Sequence, residues 1–227
     1  MFLPLHDRNP IKHVDFPYVT YGLIGVTTLV FLFQSILPPA QFDDLVVAFG
    51  MIPVVVSNQV TGPAPWLPDQ LTLLTYAFLH ADWMHLLFNM LFLWVFGDNI
   101  EDALGHVRFL VFYLLCAALA GLAHMAFDYG GFGPLIGASG AVAGVMGAYL
   151  VLYPHARVYV LFRLVIPIPL PVPAFWMLGA WIGTQLFYVL VGSDDGVSWW
   201  AHLGGIAAGA LLVVPMRRRG IALFGGR

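Results

Sequence analysis

Six stretches of this chain are too apolar to be left in water, and hydrocarbon admits only backbone that satisfies its own hydrogen bonds. Sixty per cent of the residues are hydrophobic, nine per cent are charged, and the mean hydropathy is +0.86. These values describe a polytopic membrane protein and exclude an ordinary soluble domain. The runs are Tyr18 to Leu37, Trp83 to Phe96, Val107 to Phe127, Ser139 to Tyr153, Ala174 to Val191 and Trp199 to Pro215. Pro38-Pro39 stops the first. No cleavage site follows it, so it reads as a retained helix. The expected fold class is an all-α polytopic membrane protein with six transmembrane helices. It forms a single domain over residues 1–227: an N-terminal segment 1–17, a six-helix core 18–215 and a basic tail 216–227. The long first loop contains Gly62-Pro63-Ala64-Pro65 as well as Val54, Val55, Val56, Trp66 and Leu67. It is too apolar for a linker and too broken to span, so it is expected to lie on the bilayer. Cys116, the single cysteine, excludes an internal disulfide and a CxxC metal site.

The nine basic residues orient the bundle. Arg8 and Lys12 precede the first span, Arg108 follows the second, Arg157 and Arg163 follow the fourth, and Arg217, Arg218, Arg219 and Arg227 follow the sixth. The opposite connections carry Asp43, Asp44, Asp69, Asp128, Asp194 and Asp195 with no lysine or arginine. The positive-inside rule therefore predicts both termini in the cytoplasm.

The fourth run is short. Its 15 or so residues reach roughly 22 Å against a hydrocarbon core of about 30 Å. With its inner end near Pro154 and Arg157, its N-terminus at Ser139 is expected below the outer surface, after the loose stretch GGFGPLIG. In the sixth run His202 lies about 13 residues, roughly 20 Å, from Pro215, which puts a serine and a histidine at one depth. His202, Gly205 and Gly209 form one stripe of that helix, and Gly140 and Gly144 form a GxxxG on the other. Small residues on both helices let backbones approach closely, as an activated serine requires.

Ser139 in the first turn of its helix faces N–H groups without intrahelical partners. Taken alone, it reads as an N-cap serine before packing glycines. Polar groups inside a bilayer are costly and usually functional. His85 and Asn89 share a helix face at i, i+4 and, with backbone N–H groups around Gly137, can hold an oxyanion; the alternative is interhelical polar glue. His80 is assigned a structural role. His80 and His85, five residues apart, are expected to diverge, and no HExxH completes a metal site. A transporter would need an internal repeat and an intramembrane acid, and neither is present. No aspartate is positioned to orient His202, so the expected unit is a Ser–His dyad.

The motifs HADWMHLLFN, GDNIEDALGHVRF, GASG and AHLGGIAAG together resemble those of the rhomboid family of intramembrane serine proteases, and the likeness covers nearly the whole chain. The resemblance implies a rhomboid-like six-helix bundle with a membrane-embedded first loop, in the minimal form without a further cytoplasmic domain. It implies Ser139 as nucleophile and His202 as general base, with His85 and Asn89 assisting the oxyanion. It also implies Glu101 and Arg108 as a structural acid and base near the cytoplasmic face. An aromatic residue found four positions after the serine in some members is here Ala143. The implied partners are single-pass transmembrane substrates and the lipid bilayer of a prokaryotic plasma membrane, with no nucleic acid, cofactor or metal. The fifth span, poor in packing glycines, is a candidate lateral gate by analogy. The competing function is a non-catalytic protein that binds transmembrane helices.

Overall fold

The computed structural model describes residues 2–162, 168–193 and 196–225, so Arg163, Asp194, Asp195 and Arg227 lie outside the described residues. The apolar runs form α1 (Tyr18–Ser35), α5 (Trp83–Leu104), α6 (His106–Phe127), α7 (Ser139–Leu152), α8 (Ala174–Val191) and α9 (Trp199–Met216). The first loop folds into α2 (Pro39–Phe49), α3 (Pro53–Val56) and α4 (Thr72–Thr75), with short 3-10 turns either side of α4. Among the described residues, α1, α6, α8 and α9 are long and apolar enough to cross a membrane. A fifth span results if α5 is joined to the helical segment before it, across a bend of 86°. Helix α7, at 14 residues, is apolar but too short to cross alone.

Local chemistry sets these ends. Asp82 caps α5 by accepting from the backbone N–H of Met84 (2.8 Å) and His85 (2.9 Å). Helix α5 runs eight residues beyond its expected end and stops at Gly105, whose φ of +85° turns the chain directly into α6. Helix α1 has no side-chain cap of its own. Glu101 of α5 supplies one, accepting from Val19 N (2.9 Å), Thr20 N (2.7 Å) and Thr20 Oγ1 (2.7 Å). His106 approaches the same carboxylate at 2.5 Å. Arg108, expected to act with Glu101, is exposed and has no ion pair among the described residues. Two residues after His106, Arg108 falls on the opposite side of α6, away from the buried acid, and the histidine holds the position beside it.

Helix α7 is the centre of the bundle, buried continuously from Gly140 to Tyr149 and packed by α5, α6 and α9. Helix α8 is the most peripheral: only Ala174, Met177, Leu178 and Gln185 are buried. The valines of α3 are buried in protein, against the loop before Ser139. Met51 and Leu135 exchange backbone hydrogen bonds, and Val54 N donates to Gly131 O at 3.1 Å.

The helical architecture carries one addition that the sequence analysis does not anticipate, a three-stranded antiparallel sheet in the order β1 (Phe2–Asp7), β2 (Arg157–Phe162), β3 (Ile168–Pro173). In β3 the prolines alternate, at 169, 171 and 173, so the missing N–H groups fall on one side, the free edge of the sheet. Val158 and Val160 of β2 are fully buried and join the main core.

Asp7, at the end of β1, ties this sheet to the bundle. Its carboxylate accepts from the Tyr149 hydroxyl of α7 and from Asn99 Nδ2 of α5, the latter at 3.2 Å. Burial pushes the Asp7 carboxyl from its ordinary 3.8 up to about 7; the Tyr149 hydrogen bond opposes the rise and the nearby Asp98 carboxylate adds to it. Between about pH 4 and pH 7 the folded protein therefore keeps a proton that the unfolded chain releases, and stability falls as pH rises through that window. Thermal unfolding in detergent should show wild-type protein losing stability from pH 4 to pH 7 relative to Asp7→Asn. Parallel pH profiles for the two proteins would contradict the burial of this carboxyl.

Candidate active site

The strand-like segment before α7 is shaped by Gly137, whose φ of +117° suits glycine alone. A Cβ at this position would lie 2.6 Å from the His85 ring, so the glycine also gives that imidazole its space. The Gly137 N–H donates to Tyr76 O at 3.0 Å. This corrects the expectation that Gly137 lends its N–H to an oxyanion, because the same positive φ that admits His85 turns the amide away toward Tyr76. The next amide, Ala138 N, donates to His80 Nε2 at 3.4 Å. His80 is fully buried and also exchanges bonds with Gln34 through its backbone. Its ring lies 5.0 Å from that of His85, so the two do not diverge. His80 precedes the helix in a bend, and helical spacing does not apply to it.

Helix α7 then begins at Ser139 with no side-chain cap, leaving the N–H groups of its first turn at the positive end of the helix dipole. The backbone of α9 lies directly against α7. A Cβ on Gly205 would come within 2.0 Å of Gly140 O, one on Gly209 within 1.8 Å of Gly144 O, and one on Gly147 within 2.3 Å of Ile206 O. Only hydrogen fits at these points, and the two helix axes are as close as backbones permit. Ser198 caps α9, accepting from Ala201 N at 3.4 Å, and its hydroxyl meets His124 Nδ1 of α6 at 2.7 Å. The start of α9, and with it His202, is thereby positioned from two sides.

Between α5, α7, α8 and α9 lies a cavity of about 510 Å³ lined by Ser139, His202, His85 and Asn89, among others. Asn89 is buried and donates one amide N–H to His85 O at 2.9 Å, leaving the rest of its amide for the cavity. His202 is 9% exposed. Its ring is flanked by Trp181 of α8 (centroids 5.7 Å apart) and Trp199 of α9 (5.9 Å). These indoles stand where Ala143 offers no aromatic group. Ser139 and His202 make no hydrogen bond to each other among the described residues; such contacts are often long in unliganded sites and tighten around substrate. Sequence reasoning missed Gln185, whose Oε1 lies 2.7 Å from His202 Nδ1. The available signal was a primary amide inside an otherwise apolar span.

A bundle of mostly membrane-length helices encloses a polar cavity, with a serine at an uncapped helix start and a histidine on the helix beside it, and this defines an integral membrane protein. Residues 68–219 match the Rhomboid domain, and the chain belongs to the rhomboid family. It is 31% identical over 160 residues to Rhomboid protein 1, mitochondrial, of Saccharomyces cerevisiae, covering 64% of this chain and 42% of that protein. It is 34% identical over 165 residues to RHOMBOID-like protein 12, mitochondrial, of Arabidopsis thaliana, covering 65% and 46%. It is 34% identical over 135 residues to Rhomboid protease GluP of Bacillus subtilis, covering 59% and 24%. The chain thus spans less than half the length of each of these relatives.

The glycine contacts generate a sharp test. Gly205→Ala and Gly209→Ala each put a methyl group into a backbone carbonyl of α7, and overpacking of this kind typically costs 1–3 kcal/mol. Both should lower the melting temperature in detergent, whereas Gly183→Ala on α8, which meets nothing within 4 Å, should not. Unchanged stability in both α9 variants would mean that the two helices do not touch there.

Proposed function

We propose that the protein is an intramembrane serine endopeptidase that cuts transmembrane segments of other membrane proteins. The observation that carries this reading is the shared cavity of Ser139 and His202, held at the ends of two helices in backbone contact. In the proposed reaction Ser139 Oγ attacks the peptide carbonyl while His202 Nε2 takes the hydroxyl proton. The resulting oxyanion is met by N–H groups of the first turn of α7, with the Asn89 amide and the His85 ring on the opposite wall. His202 then returns the proton to the leaving amine, and water hydrolyses the acyl-enzyme by the same route.

The substrate is a single-pass transmembrane helix that unwinds into the cavity. Access between α5 and α8 is supported by the sparse burial of α8, which leaves most of that helix facing lipid. The basic residues at the Arg8, Arg108, Arg157 and Arg217 connections favour a six-span arrangement with both termini in the cytoplasm, α7 counting as a short span. A prokaryotic plasma membrane remains the proposed location.

The test is cleavage of a single-pass substrate in proteoliposomes. Wild-type protein should give a discrete cut, and Ser139→Ala and His202→Ala should abolish it while still binding the substrate. Since the two residues act as one unit, the double variant should be no worse than either single one. Substrate capture without any cut by the wild type would favour a helix-binding protein, and full cleavage by His202→Ala would end the dyad.

A further inference from the structure

An imidazole that acts as a base requires a defined tautomer, and among the described residues neither α7 nor α9 supplies a group that sets one for His202. That group comes from α8. Gln185 is 2% exposed, in a stretch of helix where Leu186 (48%) and Phe187 (58%) face outward. Beyond Leu178 it is the one buried residue of α8, so a primary amide is the inward-facing group of that helix's second half.

The orientation of this amide follows from its neighbours. Gln185 Nε2 lies 3.0 Å from Trp181 O, a carbonyl that only accepts, so the nitrogen and not the oxygen must occupy that side. The Thr184 hydroxyl donates to the same carbonyl at 2.6 Å and accepts from Gln185 Nε2 at 3.0 Å. With both amide hydrogens so engaged, Oε1 is left facing His202 Nδ1 at 2.7 Å. An amide oxygen cannot donate, so Nδ1 must carry the hydrogen. In a neutral imidazole the lone pair is then on Nε2. Trp181, one turn earlier on the same face, packs on the ring and restrains its plane.

We infer that Gln185 is a positioning residue that holds His202 in the Nδ1–H tautomer and, with Trp181, sets the direction of its Nε2 lone pair. The inference rests on the protease reading for its catalytic consequence, but the tautomer itself does not. It supplies the third member that the dyad lacks, through a neutral amide in place of a carboxylate. It also makes the competence of the base depend on the position of α8, the least buried helix of the bundle.

The test uses the full chain in detergent or proteoliposomes with ¹⁵N-labelled histidine, the His202 signals being assigned by their loss in His202→Ala. Wild-type His202 should show a protonated Nδ1 and a bare Nε2, and Gln185→Leu should lose that preference. In cleavage assays Gln185→Leu should lower kcat at least about 10- to 100-fold, the scale seen when the hydrogen-bond partner of a metal-bound imidazole is removed, with little change in KM. Gln185→Glu, which keeps an acceptor oxygen, should retain the Nδ1–H tautomer and recover most of kcat. An Nε2–H tautomer in wild-type protein overturns the proposal outright, without any Gln185 variant having to fold. It is equally overturned if folded Gln185→Leu keeps wild-type kcat, or loses kcat while keeping the Nδ1–H tautomer, since the glutamine would then only pack. If wild-type protein cuts nothing, the protease reading fails, and the tautomer measurement still decides the role of Gln185.

Discussion

The contact on which the rest depends is the meeting of α7 and α9 through backbone alone. Carbonyl oxygens of Gly140 and Gly144 lie where side chains of Gly205 and Gly209 would begin, and Ile206 O does the same to Gly147. In lipid there is no hydrophobic drive between helices, so such an interface is held by close van der Waals packing and weak Cα–H···O contacts. Its yield is geometric. Two helices at minimum separation carry Ser139 and His202 on their first turns to one cavity, and a shift near 1 Å in such a pair can cost on the order of 100-fold in rate.

Three of the long helices, α1, α5 and α9, start on side-chain caps, the first of them supplied by another helix. Glu101 of α5 caps α1, Asp82 caps α5, and Ser198 caps α9 while bonding His124 of α6. Asp102 receives the backbone N–H of His13 at 2.5 Å and of Val14 at 2.8 Å, which fastens the segment before α1. Helix α7 begins without a side-chain cap, at the end that opens on the cavity. An unsatisfied helix start inside a protein is costly unless something else occupies it. Under the proposed function that occupant is the oxyanion.

The apolar helices were legible because apolar runs ended by proline or glycine have one reading in a bilayer, and all six starts fall within one residue of those expected. Helix α5 was underestimated, since Asp98, Glu101 and Asp102 look like a loop when their partners in the N-terminal segment are unknown. The sheet was hidden for a similar reason. Strand β3 reads as a proline-rich connection until it is seen as an edge, and β1 pairs with residues about 155 positions away. At the cavity, Ser139, His202, His85 and Asn89 stood out because polar groups are expensive in hydrocarbon. The same argument applies to Gln185, the one amide of α8, but that helix stands out in the sequence by its few packing glycines. Gly137 and Arg108 illustrate a different limit: a motif names positions, while the direction of an N–H or a guanidinium depends on φ and helix phase.

The measurement closest to the central claim is covalent labelling by a fluorophosphonate, with the modified residue mapped by mass spectrometry. A serine hydroxyl reacts with such a probe at useful rates only beside a base that takes its proton. The account predicts slow, stoichiometric labelling at Ser139, absent in Ser139→Ala and nearly absent in folded His202→Ala. Labelling confined to another serine, such as Ser198, or undiminished labelling of Ser139 in His202→Ala, would contradict it.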